Sequence, residues 1–233
     1  MINDKFDECA DFIGKICMEL RKRKPSCVIS HAPQTPYFNP SYASPGSDPV
    51  YTLIYNNYKT YFDWFNIQFY NNGESNTYEE IFIKSNESLP NTSVLELMNS
   101  GIDASYIVVG KPVNIQEGNE GYIPLNPSTN GFGDEETSFS EMVKQAFQEP
   151  DLKPWAQNGG EMIWYYNTQQ STGANMCSVI NKFVTSNDVA KDNESIVLFF
   201  QTVSTYSCTA SNIKNIQFME KGVLEQYKSS QSS

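Results

Sequence analysis

Four short apolar runs, each closed by turn residues and spaced roughly forty to fifty residues apart, set the fold class of this chain. They are Cys27–Pro33, Asp63–Asn71, Tyr106–Pro112 and Gly159–Tyr166. Each is strand-sized and rich in Val, Ile, Phe or Tyr, as suits a strand buried on both faces. The intervals carry helical patterns. Residues 3–23 repeat Phe6, Cys9, Ala10, Ile13, Ile16, Cys17 and Leu20 at three- and four-residue steps, with acids early and Pro25 as the stop. A short helix is expected over 51–60, and the end of another at 93–98 before Gly101. Ser138-Phe139-Ser140-Glu141 is a capping box opening a helix that Pro150 closes, and residues 174–184 read as one more. Strands alternating with helices predict parallel βαβ units, four of them, after which the alternation is expected to stop.

The second run is the most informative. Asp63, Phe65, Ile67 and Phe69 alternate with Trp64, Asn66, Gln68 and Tyr70, the period of a strand. One face is mostly apolar, while the other carries an amide and a phenol that each need a hydrogen-bonding partner. A polar strand end followed by a turn is how a parallel α/β barrel builds a site. Gln68 and Tyr70 are therefore candidate site residues.

Composition narrows the function classes. The chain has 233 residues, a net charge of −11, and one dense basic run, Arg21-Lys22-Arg23-Lys24, at an expected helix end. Phosphate binding needs a basic surface, so a nucleic-acid role is not expected. No apolar run reaches the length of a membrane span, and the acidic opening Met1-Ile2-Asn3-Asp4 does not read as a secretory leader, so the compartment stays open. The five cysteines show no metal-ligand spacing, and neither a metal nor a cofactor is expected. His31, the single histidine, has no Ser or Cys nucleophile context around it and is read as structural.

At these strands the sequence resembles glycoside hydrolase family 18, specifically the compact plant and fungal chitinases. Ser30-His31-Ala32-Pro33-Gln34 resembles the family's fifth-strand segment, and Phe62-Asp63 with Gln68-Phe69-Tyr70-Asn71-Asn72 its sixth. Ile107–Pro112 followed by Gly121-Tyr122-Ile123-Pro124 is similar to the seventh strand and loop, and Gly159-Gly160-Glu161-Met162-Ile163-Trp164 to the eighth. The resemblance implies a partial (β/α)8 barrel over residues 1–187, strands five to eight with their helices. An extension over 188–233 would hold one or two strands and a disordered Ser/Gln-rich end. It also implies hydrolysis of β-1,4-linked N-acetylglucosamine polymers with retention, the substrate's acetamido oxygen serving as nucleophile. In that scheme Tyr70 positions the acetamido group, Gln68 is its polar neighbour, Trp164 floors the sugar subsite, and Gln34 and Asn71 line the mouth. The partner implied is chitin or an N-acetylglucosamine oligosaccharide.

One departure is large. The family's proton donor is the Glu that closes a D-x-x-D-x-D-x-E signature on strand four, and this sequence contains no such signature. Asp63, Asp134, Glu135 and Glu161 do not match its position. The chain alone is expected to be inactive, with a complementing N-terminal half barrel or self-association covering its open sheet edges. The alternative is a non-catalytic chitin-oligosaccharide-binding or structural protein derived from the same fold.

Overall fold

The computed structural model describes residues 5–72, 77–112, 118, 120–124, 138–164, 197–200 and 216–218, with the backbone alone at 140, 163–164, 197–200 and 216–218. Helix α1 spans Phe6–Arg23, α2 Val50–Tyr58, α3 Val94–Asn99, α4 Phe139–Gln148 and α5 Lys153–Asn158. Strands β1 (Ser30–His31), β2 (Trp64–Gln68), β3 (Ile107–Pro112) and β4 (Gly160–Trp164) fall on the four apolar runs. Two more follow, β5 (Val197–Phe200) and β6 (Ile216–Phe218).

All six strands form one sheet in chain order, and every neighbouring pair is parallel. Successive parallel neighbours require a crossover each time, and such crossovers share one hand. The α/β class with parallel strands is as expected. Beyond the four expected units, the described residues of the segment from residue 188 supply β5 and β6 to the same sheet. Of the strand-like run at Ile196–Val203, the described residues Val197–Phe200 pair along β4. The expected helix at 174–184 and the Ser/Gln-rich end lie outside the described residues.

Strand alternation splits the side chains between two faces. Phe65, Ile67, Phe69, Ile107 and Val109 join Ile54, Tyr55, Val94, Leu97, Val143 and Trp155 in one buried cluster, so this face meets the helices. Trp64, Val108 and Met162 make a second cluster on the opposite face. Each large apolar side chain on the helix face contributes roughly 2 kcal/mol by leaving water. Trp155 adds a buried indole N–H, which donates to the Ile107 carbonyl at 3.1 Å.

Local chemistry explains the helix ends. Ser138 and Glu141 make the expected capping box at α4. Ser93 and Glu96 make a second one, so 93–98 is not a helix end but nearly the whole of α3, stopped by Ser100 and Gly101 (φ +99°). At the N-terminal end of the sheet the Arg21 guanidinium donates to the carbonyls of Cys27 and Pro25 and to the Asp63 carboxylate, the last at 2.8 Å. The Ile29 amide donates to the same carboxylate oxygen at 2.7 Å. Asp63 therefore clamps α1 to the start of β1 and β2. Its work is structural.

Candidate functional site

The C-terminal ends of β1 and β2 bring four of the five predicted site residues together. Gln34, three residues beyond β1, forms a parallel bridge with Gln68. The Gln68 side-chain amide donates to the Ala32 carbonyl at 2.6 Å, and that of Gln34 donates to the Asn71 carbonyl at 3.3 Å. Asn71 is left-handed at φ +56°, a turn conformation that Asn tolerates. Tyr70 is only 3% exposed, packed beneath the loop that follows β3. Trp164 ends β4 in register with Pro112, the last residue of β3, so its backbone lies at the same end of the sheet. Its side chain lies outside the described residues.

Two polar residues beside this cluster were given no role by sequence reasoning. Asn72 donates from its amide to the Gln68 carbonyl at 2.9 Å and to the Thr35 hydroxyl at 2.5 Å, while its own buried side-chain oxygen has no partner among the described residues. It ties the β2 terminus to the turn after β1. Asn66, on the Gln68 face, accepts from the Trp64 indole at 3.1 Å and donates to Ser30 at 3.3 Å. The signal for both lay in the alternation and in the Asn71-Asn72-Gly73 turn. Amides at strand ends are common enough in turns that neither stood out.

The loop through residues 120–124 closes over β2. The Asn71 amide donates to the Glu120 carbonyl at 2.8 Å. Gly121 has φ +84°, and a Cβ there would meet the Tyr70 Cα at 2.7 Å and the Phe69 oxygen at 2.8 Å. Both the conformation and the contact require glycine. Gly121→Ala is expected to lower the melting temperature and to shift the environment of Tyr70. Thermal denaturation with near-ultraviolet circular dichroism checks this, and an unchanged aromatic signal would separate the loop from Tyr70.

Two of the buried titratable groups, His31 and Glu161, stand elsewhere. His31 lies in register with Phe65 on the helix face, ringed by Tyr51, Phe62 and Phe65, with its Nε2 3.0 Å from the Cys17 sulfur. Burial pushes the imidazole down to about 4 and the Cys17 thiol up, so the pair is neutral, not a thiolate–imidazolium couple. Glu161 is in register with Val109 and so shares the helix face. Among the described residues no cluster of His, Cys, Asp and Glu could hold a metal ion. Among the described residues, the strand ends at the mouth carry the amides of Gln34, Gln68 and Asn71 and the phenol of Tyr70. That set suits a neutral polar ligand with hydroxyl and amide groups.

No family model matches the sequence, and no curated protein matches it. Among solved structures, a protein provisionally named chitinase A from Streptomyces coelicolor aligns with a TM-score of 0.53 at 15% identity. The alignment covers 76% of this chain and 58% of that one. The fold is chitinase-like. A GH18 chitinase from Pseudoalteromonas aurantia aligns at 25% identity and a TM-score of 0.47, over 76% of this chain and 53% of the other. The C-terminal domain of Legionella pneumophila ChiA aligns at 13% identity and a TM-score of 0.45, over 77% and 59%. This chain spans just over half the length of the solved chains it matches. Among the described residues no helix is long and apolar enough to cross a membrane.

Proposed function

We propose that this chain is the sugar-binding part of a chitinase barrel of the compact family 18 type, with β1 to β4 as barrel strands five to eight. The barrel part spans residues 1–187, and the segment from 188 adds strands to the same sheet. One observation carries the reading: Gln34, Gln68 and Tyr70 gather at the C-terminal ends of adjacent parallel strands, the end where α/β barrels build their sites. The ligand is chitin or an N-acetylglucosamine oligosaccharide. Tyr70 would hydrogen-bond the acetamido group with Gln68 beside it, Gln34 and Asn71 would line the mouth, and the Trp164 indole would stack under a pyranose ring.

The reaction such a site serves needs a proton donor within hydrogen-bond reach of the leaving oxygen. This sequence holds no D-x-x-D-x-D-x-E, so the chain binds without hydrolysing, and the acid would come from a complementing N-terminal half barrel. Calorimetric titration with chitin oligosaccharides tests the site. Trp164→Ala is expected to weaken binding about tenfold or more, the loss of one stacked ring, and Tyr70→Phe to weaken it less. Equal affinity in wild type and Trp164→Ala would remove Trp164 from the site. Measurable release of N-acetylglucosamine by the purified chain would overturn the non-hydrolytic reading.

A further inference from the structure

Helix α1 carries more apolar surface than its neighbours cover. Ala10, Gly14 and Cys17 lie on one side and are buried, with Gly14 seated directly on the Tyr58 ring beside α2. At 3.6 residues per turn, Phe12, Ile16 and Leu20 form a second stripe roughly 120° further round the helix. These three are 65%, 44% and 47% exposed. Scattered surface apolar residues need no explanation, but three at successive four-residue steps make the contiguous seam by which a helix meets another helix.

We propose that α1 is the contact helix of a two-fold homodimer, packed antiparallel against α1 of a second copy with Ile16 near the dyad. A two-fold interface must be self-complementary. The stripe meets that demand, because pairing about Ile16 sets Phe12 against the partner's Leu20 and Leu20 against the partner's Phe12. Charge selects the direction. The first turn of α1 is acidic, with Asp7 and Glu8, and the last turn is basic, with Arg21, Lys22 and Arg23. Antiparallel packing brings each acidic end to the partner's basic end, whereas parallel packing would set like charge on like. Strand β1 is only the two residues Ser30 and His31, and so short an edge offers few ladder groups to an incoming strand. The 18-residue helix is about 27 Å long. One helix pair of that length buries less than the roughly 800 Å² per partner of a standard interface, so the dimer is dissociable.

Sedimentation equilibrium on the full chain, from micromolar to submillimolar concentration, tests the dimer. The expected result is a reversible monomer–dimer equilibrium that weakens as salt screens the end charges. Ile16→Glu places two carboxylates at the dyad and is expected to raise the dissociation constant about tenfold or more. Phe12→Ser should act in the same direction. Both positions are exposed in the single copy, so circular dichroism melts of the dilute monomer should match wild type, which separates lost association from lost folding. A monomer across the whole range overturns the inference, as does a dimer that Ile16→Glu leaves intact.

Discussion

Glu161→Gln is expected to raise the melting temperature near pH 8 by several degrees while changing it little near pH 4.5, the two limits between which this carboxyl titrates. Glu161 is 4% exposed, and among the described residues neither of its carboxylate oxygens has a hydrogen-bond partner. It stands on β4 between Val109 of β3 and Leu198 of β5 in register. Burial pushes the carboxyl up from 4.5 to about 8, because a lone charge there would lose its water with nothing in exchange. The sign follows from proton counts. Below 4.5 both folded and unfolded chains hold the proton, and Glu161 adds no pH dependence. Between 4.5 and 8 the folded chain keeps a proton that the unfolded chain releases, so stability falls as pH rises, by about 1.4 kcal/mol per pH unit. Above 8 both are ionised and the loss is complete. Glutamine has nearly the same shape and cannot ionise, so it removes the slope. Wild-type and variant melts that run parallel across this window would refute the account.

The strands were legible because each is a compact apolar run, and the period-2 pattern of 63–70 places Phe65 and Ile67 on one face and Asn66 and Gln68 on the other from sequence alone. The Ser138–Glu141 capping box was legible because its two partners are only three residues apart. The Ser93–Glu96 box is equally local, yet α3 is so short that its period barely registers, and its sequence reads as the tail of something longer. Strand β5 was visible as a run at Ile196–Val203, but its parallel pairing with β4 depends on a long crossover, which no local pattern encodes. Glu161 shows the same limit in a single residue. Its place near a strand start could be read, but its burial depends on the register with Val109 and on the helices above.

The site was half legible. Gln34, Gln68, Tyr70 and Asn71 do converge, since strand ends in a parallel sheet come together whenever the strands are adjacent. Their spent hydrogen bonds were not foreseen. Gln68 donates back to Ala32, so part of its capacity is used in holding the mouth together. His31 illustrates what composition overstates: a lone histidine draws attention, yet it sits on the helix face, where desolvation among Tyr51, Phe62 and Phe65 keeps it uncharged.

Lys111→Met is expected to abolish the alkaline limb of the stability profile and to loosen the mouth. Lys111 lies on the same face of β3 as Val109, is 1% exposed, and donates from its ammonium to the Phe69 carbonyl at 2.6 Å. Burial pushes it down from 10.5 to about 7, with the charge of Glu80 opposing the shift. Below 7 folded and unfolded chains are both protonated. Between 7 and 10.5 the unfolded chain holds a proton that the folded chain has lost, so stability rises with pH. This is opposite in sign to Glu161, and the two windows meet between 7 and 8, where the wild type should pass through a minimum. Methionine keeps most of the stem volume and removes the titration, so the rise above 8 should vanish while the fall below it remains. The hydrogen bond to Phe69 also pins the residue next to Tyr70. Losing it frees the β2 terminus, and side chains must be held closely to keep a binding geometry. The oligosaccharide affinity proposed for this site should therefore drop in Lys111→Met even at a pH where its melting temperature equals the wild type's. A melt that keeps its alkaline rise in the variant would show that Lys111 is not the group that titrates there.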